Sequence, residues 1–414
     1  MFRIRLSIER RWSYVLCCAA ALCFVGACDR GSGSNTPLTP TQVNSSLPSD
    51  DELQRLLDEV LDYNNTHRRL NLRDHAAWQI IHGALAYEGA FQIEDTQGQL
   101  VSAIDYALNG GTDLKGWTMV RGDKLRDNPP RFGLKAVLEQ GSKTGQGHSD
   151  QWLGYLADCD IKLDQKIKVG SETYTLEDLL LQTEYDVPRN VDREYSWTLM
   201  GLTAYRPTSY EWTASDGNSW SIAKLMEIEV GHDLGMSACG GTHRMCGITI
   251  AYNRHVAAGG AIEGPWAAAK KKIDDAVLAS KQYQNSSGGL STNWFQRPGN
   301  SPDVKESLGC TGHALEFVVL ASTDEQLHDP WIRRSVVYLC KLLDKTKSVE
   351  LECGALYHAL HGLVLYRERV FGKRTFPASA SPAVPATPET PADQTESAAG
   401  KTSEESATPS DASP

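Results

Sequence analysis

Six stretches of the chain are apolar on nearly every side, and between them lie stretches apolar on one side only. The first set runs at about 73–88, 147–158, 194–206, 239–253, 310–322 and 353–370. Such a pattern predicts helices buried on all faces. Four of these segments share a central glycine: 79–87 around Gly83, 197–205 around Gly201, 243–252 around Gly247 and 358–366 around Gly362. Looser copies occupy 150–157 and 313–321. The one-sided stretches predict amphipathic helices. Segment 51–64 carries Leu53, Leu56, Leu57, Val60 and Leu61 on one face, and 177–186, 219–230, 265–283 and 329–344 are similar. A sixth outer element is expected at 100–108. Segment 167–174 alternates around Gly170 and predicts a small β-hairpin.

The copies are evenly spaced. Trp152 to Trp197 is 45 residues, Gly201 to Gly247 is 46, and Phe317 to Gly362 is 45. A fixed period of this size marks an array of helical hairpins. Such an array stacks as an open solenoid or closes on itself. Six hairpins is the number at which an inner set of six closes inside an outer six. The expected fold is therefore an all-α (α/α)6 toroid over 50–373, with insertions 109–146 and 285–309 on one rim.

Segment 278–290 ends a helix with Gln284, Gly288, Gly289 and Leu290. It resembles the helix–Gln–x–x–x–Gly–Gly–aromatic repeat of the terpenoid cyclase and protein prenyltransferase superfamily. Leu290 stands where that family has an aromatic residue. The resemblance implies an α/α toroid with a central cavity, and in the prenyltransferases such a cavity holds zinc on Asp, Cys and His. The Asp–x–Cys arrangement of that site is missing here.

The ends of the chain read differently. Arg3, Arg5, Arg10 and Arg11 precede a short apolar run at 14–27, the parts of a secretory signal. Val25-Gly26-Ala27-Cys28 is similar to a bacterial lipobox, which implies cleavage before Cys28 and lipidation of its thiol. Residues 28–49 then read as a lipidated flexible tether. The expected location is the bacterial cell envelope, with the protein held to the membrane by its lipid and facing the periplasm or the exterior. Residues 374–414 are rich in Pro, Ala, Ser, Thr and acids, a composition expected to stay disordered. The chain has net charge −11 and no basic run, which excludes nucleic acid as a partner because phosphate binding needs clustered positive charge. In an oxidising compartment disulfides are allowed, and Cys340, closing one predicted helix, is expected to pair with Cys353, opening the next.

In a toroid the N-terminal ends of the inner helices face one rim. The residues there are polar: His75 and Trp78, His148 and Asp150, Arg193 and Glu194, Cys239 and His243, Cys310 and His313, Cys353 and His358. Convergent polar groups in an apolar concavity make a candidate site. Cys239 with His243, and Cys310 with His313, have the spacing to share a helix face, and thiolate with imidazole suits zinc. Alternatively the site takes a glycan. Trp78, Trp152, Trp197 and Trp294, with His313 and His358, would then bind it. A lyase would draw on His243, Arg244 and Tyr252, and a glycosidase on the carboxyl pair Asp150 and Glu194 beside His148. Terpene cyclisation is excluded because no D-x-D-D occurs, and a thioester because Thr242 stands where a Gln is required. No H-E-x-x-H, G-x-S-x-G, phosphate loop or G-x-G-x-x-G is present. Two functions remain expected alternatives. One is an envelope-anchored cavity that binds or cleaves an extended polymer such as a glycan, with or without zinc. The other is a non-catalytic scaffold for protein partners.

Overall fold

The computed structural model describes residues 47–190 and 193–376. The signal, Cys28 and most of the tether lie outside the described residues, as does the tail beyond 376. The described part is mostly helical. Its helices are α1 (Asp50–His67), α2 (Ala77–Tyr87), α3 (Ala103–Leu108), α4 (Gln151–Asp158), α5 (Leu176–Asp186), α6 (Ser196–Tyr205), α7 (Ile222–Gly231), α8 (Thr242–Ala257), α9 (Pro265–Gln282), α10 (Val304–Ala321), α11 (Asp324–Leu327), α12 (Pro330–Lys345) and α13 (Cys353–Phe371). No described helix is long and apolar enough to cross a membrane.

Four antiparallel hairpins fill the connections: β1 (Gln92–Glu94) with β2 (Leu100–Ser102), β3 (Met119–Asp127) with β4 (Pro130–Ala136), β5 (Lys166–Val169) with β6 (Glu172–Thr175), and β7 (Glu211–Thr213) with β8 (Ser219–Ser221). The hairpin around Gly170 was expected. The β3–β4 hairpin inside insertion 109–146, which packs on α5, was not. Leu100 to Ser102, expected to begin an outer helix, form strand β2 instead, and Ser102 caps α3 by accepting the Asp105 amide.

The six helices apolar on every side are α2, α4, α6, α8, α10 and α13. Each packs against the next, and α13 packs against α2. The amphipathic helices cover them. α1 lies on α12 and α13, α7 on α6 and α8, α9 on α8 and α10, and α12 on α10. α1 shows the local logic. Ser49 and Glu52 form a capping box that satisfies free amides at its start, and Leu53, Leu57, Val60 and Leu61 bury one stripe. The recurrent glycine marks where inner helices meet. A Cβ on Gly247 would lie 2.5 Å from the Ser196 carbonyl oxygen, and one on Gly312 would lie 2.7 Å from the Ala359 backbone.

Four inner helices start later than their apolar pattern suggested. Asp150 (φ 59°), Arg193 (φ 49°) and Cys239 (φ 49°) adopt left-handed backbone, which cannot continue a right-handed α-helix. His148, Asp150, Glu194 and Cys239 therefore sit in the turns leading into α4, α6 and α8. Conversely, α10 starts at Val304, so Cys310 and His313 lie inside it rather than at its end.

Two further expectations are corrected. The six cysteines among the described residues, Cys340 and Cys353 included, are free thiols. Cys340 is fully buried in the packed face of α12, whereas Cys353 is only half-buried at the start of α13. Residues 374–376, expected to belong to the tail, make contacts with the helices. Arg374 bonds Asp58 at 3.0 Å and Asp62 at 2.8 Å, and Phe376 meets Tyr87 edge-on at 4.9 Å.

Candidate functional site

A cavity of about 420 Å³ is lined by residues from the inner helices and the turns that enter them, among them Trp78, His82, His148, Cys239, His243, Trp294, Cys310, His313 and His358. Five histidines converge there from five segments. The His243 ring lies 5.2 Å from His148, 5.3 Å from His313 and 5.3 Å from His358. His313 stacks on His358 at 3.9 Å, and His82 meets His358 edge-on at 5.3 Å.

The orientation of these rings is set by hydrogen bonds from Nδ1. His313 donates from Nδ1 to the Gly309 carbonyl at 2.8 Å, and His148 donates from Nδ1 to Glu194 at 2.8 Å. His358 donates from Nδ1 to Glu316 at 2.8 Å, leaving its buried Nε2 without a hydrogen-bond partner. A histidine whose Nδ1–H is pinned by a carbonyl or carboxylate presents Nε2 as a ligand atom. His82 is instead satisfied on both sides, by the Trp78 carbonyl and the Tyr155 hydroxyl.

His243 is the exception. It is buried, and neither ring nitrogen has a hydrogen-bond partner. Burial, then the neighbouring histidines His148, His313 and His358, hold its pKa well below the ordinary value. It is therefore a neutral imidazole, the form that binds metals. An unpartnered buried polar group costs about 1–3 kcal/mol. Ligand atoms of Cys239, His243 and His313 all lie within 4.8 Å of one another, as do those of His148, Glu194 and His243. These are the two described groups able to hold a metal ion. The set Cys239, His243 and His313 would offer a metal ion one sulfur and two nitrogen ligands.

Backbone strain gathers at the same place. Besides Asp150, Arg193 and Cys239, Trp294 has φ 58°. Its indole lies against Gly240, where a Cβ would meet Trp294 Cγ at 2.0 Å. Such strain persists only where the surroundings impose it.

The remaining expected residues are distributed differently. Cys310 lines the cavity but is outside the metal-holding groups; its thiol points to the Thr292 carbonyl at 3.8 Å, and burial pushes its pKa up to about 12. Trp152 and Trp197 are 0% and 3% exposed and belong to the core, so only Trp78 and Trp294 of the four expected tryptophans line the cavity. Arg244 is buried in an ion pair with Glu229, which also accepts the Tyr195 amide and the Ser196 hydroxyl. It is committed to the fold rather than free to neutralise a ligand. Tyr252 is buried further along α8 and does not line this cavity. Asp150 and Glu194 do not face each other across one space. Asp150 lines a separate cavity of about 120 Å³, and Glu194 lines another of about 520 Å³ that also contains His148 and Arg244.

Asp150 accepts hydroxyl hydrogen bonds from Thr198 and Thr183, while burial raises its pKa to about 6. The folded state therefore binds this proton more tightly than the unfolded chain, and stability declines as pH rises from the ordinary carboxylate range through 6. Asp150→Asn keeps the left-handed backbone accessible and removes the charge. It is expected to gain about 1–2 kcal/mol over the parent at pH 8, the partly exposed site being cushioned by water, and nothing at pH 4. Thermal melts at the two pH values check this.

The sequence reading did not identify Glu316 and His361. Glu316 on α10 accepts from His358 and, at 2.7 Å, from His361 Nδ1, and His361 Nε2 lies 3.4 Å from Asp158. The signal was present: a carboxylate in a helix apolar all round must find a partner, and His358 and His361 share one face of α13.

Comparison of the chain with family models, with curated proteins and with solved structures gave no match in any of the three.

Proposed function

We propose that this is an envelope-anchored (α/α)6 toroid whose central cavity holds a zinc ion and presents it to an extended ligand such as a glycan. The closed arrangement is supported by the succession of neighbours from α2 through α4, α6, α8 and α10 to α13, which returns to α2. The lipid anchor on Cys28 is supported by the lipobox-like sequence ahead of it.

The observation that carries the metal reading is the buried, unpartnered imidazole of His243 between Cys239 and His313. Cys239, His243 and His313 would hold the ion. Zinc held by three protein ligands polarises an oxygen of a ligand and lowers the pKa of a bound water to about 7. The chain's own residues do the rest. The Gly309 carbonyl keeps the His313 proton on Nδ1 and so aims Nε2 inward. His358, whose pKa is lowered to about 4 by burial and by His313, is neutral, and its Nε2 accepts a proton or hydrogen bond from a ligand hydroxyl. Trp78 and Trp294 offer flat apolar faces for sugar rings, and a Lys143–Glu352 ion pair beside Trp78 offers polar contacts.

Full-length protein stripped with chelator and reloaded is expected to retain zinc through gel filtration, and Cys239→Ser is expected to release it. Parent protein that retains no zinc would favour the passive protein-binding scaffold instead.

A further inference from the structure

We infer that the cavity takes a second divalent ion, on His148, Glu194 and His243, so that the His243 imidazole bridges two metals. This rests on the zinc reading above and extends it.

The argument begins with the nitrogen left over. When a histidine binds one ion, its second ring nitrogen ordinarily donates to an outer acceptor. His313 and His358 show that outer bond, while His148 Nδ1 lies 2.8 Å from Glu194, its neighbour in the second group. His243 has none on either nitrogen, although both are buried. One ion at Cys239 and His313 would still leave an orphaned nitrogen. A second ion on the other flank would satisfy it.

Donors for a second ion stand beside His243. The ligand atoms of His148, Glu194 and His243 form their own group within 4.8 Å, and His243 is the one residue it shares with the thiolate group. The topology separates the two sets. α8 packs between α6 and α10. His313 comes from α10, whereas His148 and Glu194 come from the turns entering α4 and α6. His148 lines both the 420 Å³ and the 520 Å³ cavities, and the second ion would sit beside it. Arg244 is the nearby cation that would oppose it, and Glu229 already neutralises Arg244.

With two divalent ions carrying four positive charges, the three negative charges of the Cys239 thiolate, the Glu194 carboxylate and the bridging imidazolate leave a net charge of one positive. The ring proton of His243 leaves to solvent as the second ion binds. The residual positive charge suits an anionic or hydroxyl oxygen of a ligand. An oxygen-containing donor set binds zinc less tightly than a thiolate set, so the Cys239 site should fill first.

Cobalt(II) titration of full-length, metal-free protein tests this. Thiolate-to-cobalt absorption reports the Cys239 site alone, ligand-field absorption reports all bound cobalt, and electron paramagnetic resonance reports coupling between two ions. The expected result is two equivalents, the first with the thiolate band and the second with spin coupling. Glu194→Gln should bind one equivalent with the thiolate band intact and no coupling; His148→Ala should do the same if Glu194→Gln fails to fold. One equivalent with a thiolate band in the parent, unchanged in both variants, would overturn the second site and leave the zinc site standing. Absence of any thiolate band would overturn both.

Discussion

Replacing His243 with leucine is expected to make the metal-free protein more stable while removing its capacity for metal. The imidazole is buried with both nitrogens unpaired, and leucine fills similar space without a polar group to desolvate. Relief of that cost should raise unfolding stability in chelator by about 1–3 kcal/mol. Zinc affinity should fall by more than the roughly 10–100-fold that loss of a mere orienting partner causes, because a direct ligand is gone. Denaturant melts with and without zinc measure both effects. The paired result matters. A histidine that served the core would show the opposite sign in chelator, since large buried side chains are ordinarily lost at a cost.

Glu316→Ala is expected to be the most damaging substitution at the site. Glu316 receives His358 and His361, and their hydrogen bonds and charges hold its pKa well below the usual range despite burial. His361 is raised, burial being outweighed by Glu316 and Asp158. The two thus form a buried ion pair, and removing one partner leaves the other uncompensated, at about 3–5 kcal/mol. The signs give a window. The carboxylate's contribution is present above its unfolded pKa and lost as pH falls through the depressed folded value. The imidazolium's contribution is present below its unfolded pKa and lost as pH rises through the raised folded value. Unfolding free energy of the parent should therefore be greatest in the weakly acidic range, between the ordinary carboxylate value of 4.5 and the ordinary imidazole value of 6.5, and fall off on both sides; in Glu316→Gln both slopes should flatten. Chemical denaturation across pH measures this.

These residues also show what could be read beforehand. The six inner helices were legible because burial on every face leaves an apolar run with no polar stripe, and the glycine register was legible because close approach, as at Gly247 and Gly312, tolerates no side chain. The starts of α4, α6 and α8 were not, because a single left-handed residue such as Asp150 or Cys239 interrupts a helix without changing its hydrophobic pattern. That local geometry also decided the ligands. Cys239 and His243 were paired as neighbours on one helix face. They come together although Cys239 lies in the turn ahead of α8, and Cys310, equally plausible by spacing, turns to Thr292 instead. The β3–β4 hairpin escaped notice because β3 carries charge on both faces, so it lacks the alternation that marks a half-buried strand. The tryptophans misled for a related reason. Composition announces aromatic surface, but only packing decides that Trp152 closes the core while Trp294 faces the cavity.

The most direct test is diffraction from crystals of the zinc-loaded protein, collected on either side of the zinc absorption edge. An anomalous peak at bonding distance from Cys239 Sγ and from nitrogens of both His243 and His313 is the predicted result. A map with no peak in this cavity, or with zinc confined to surface carboxylates while the His243 nitrogens contact only protein or water, would contradict the account.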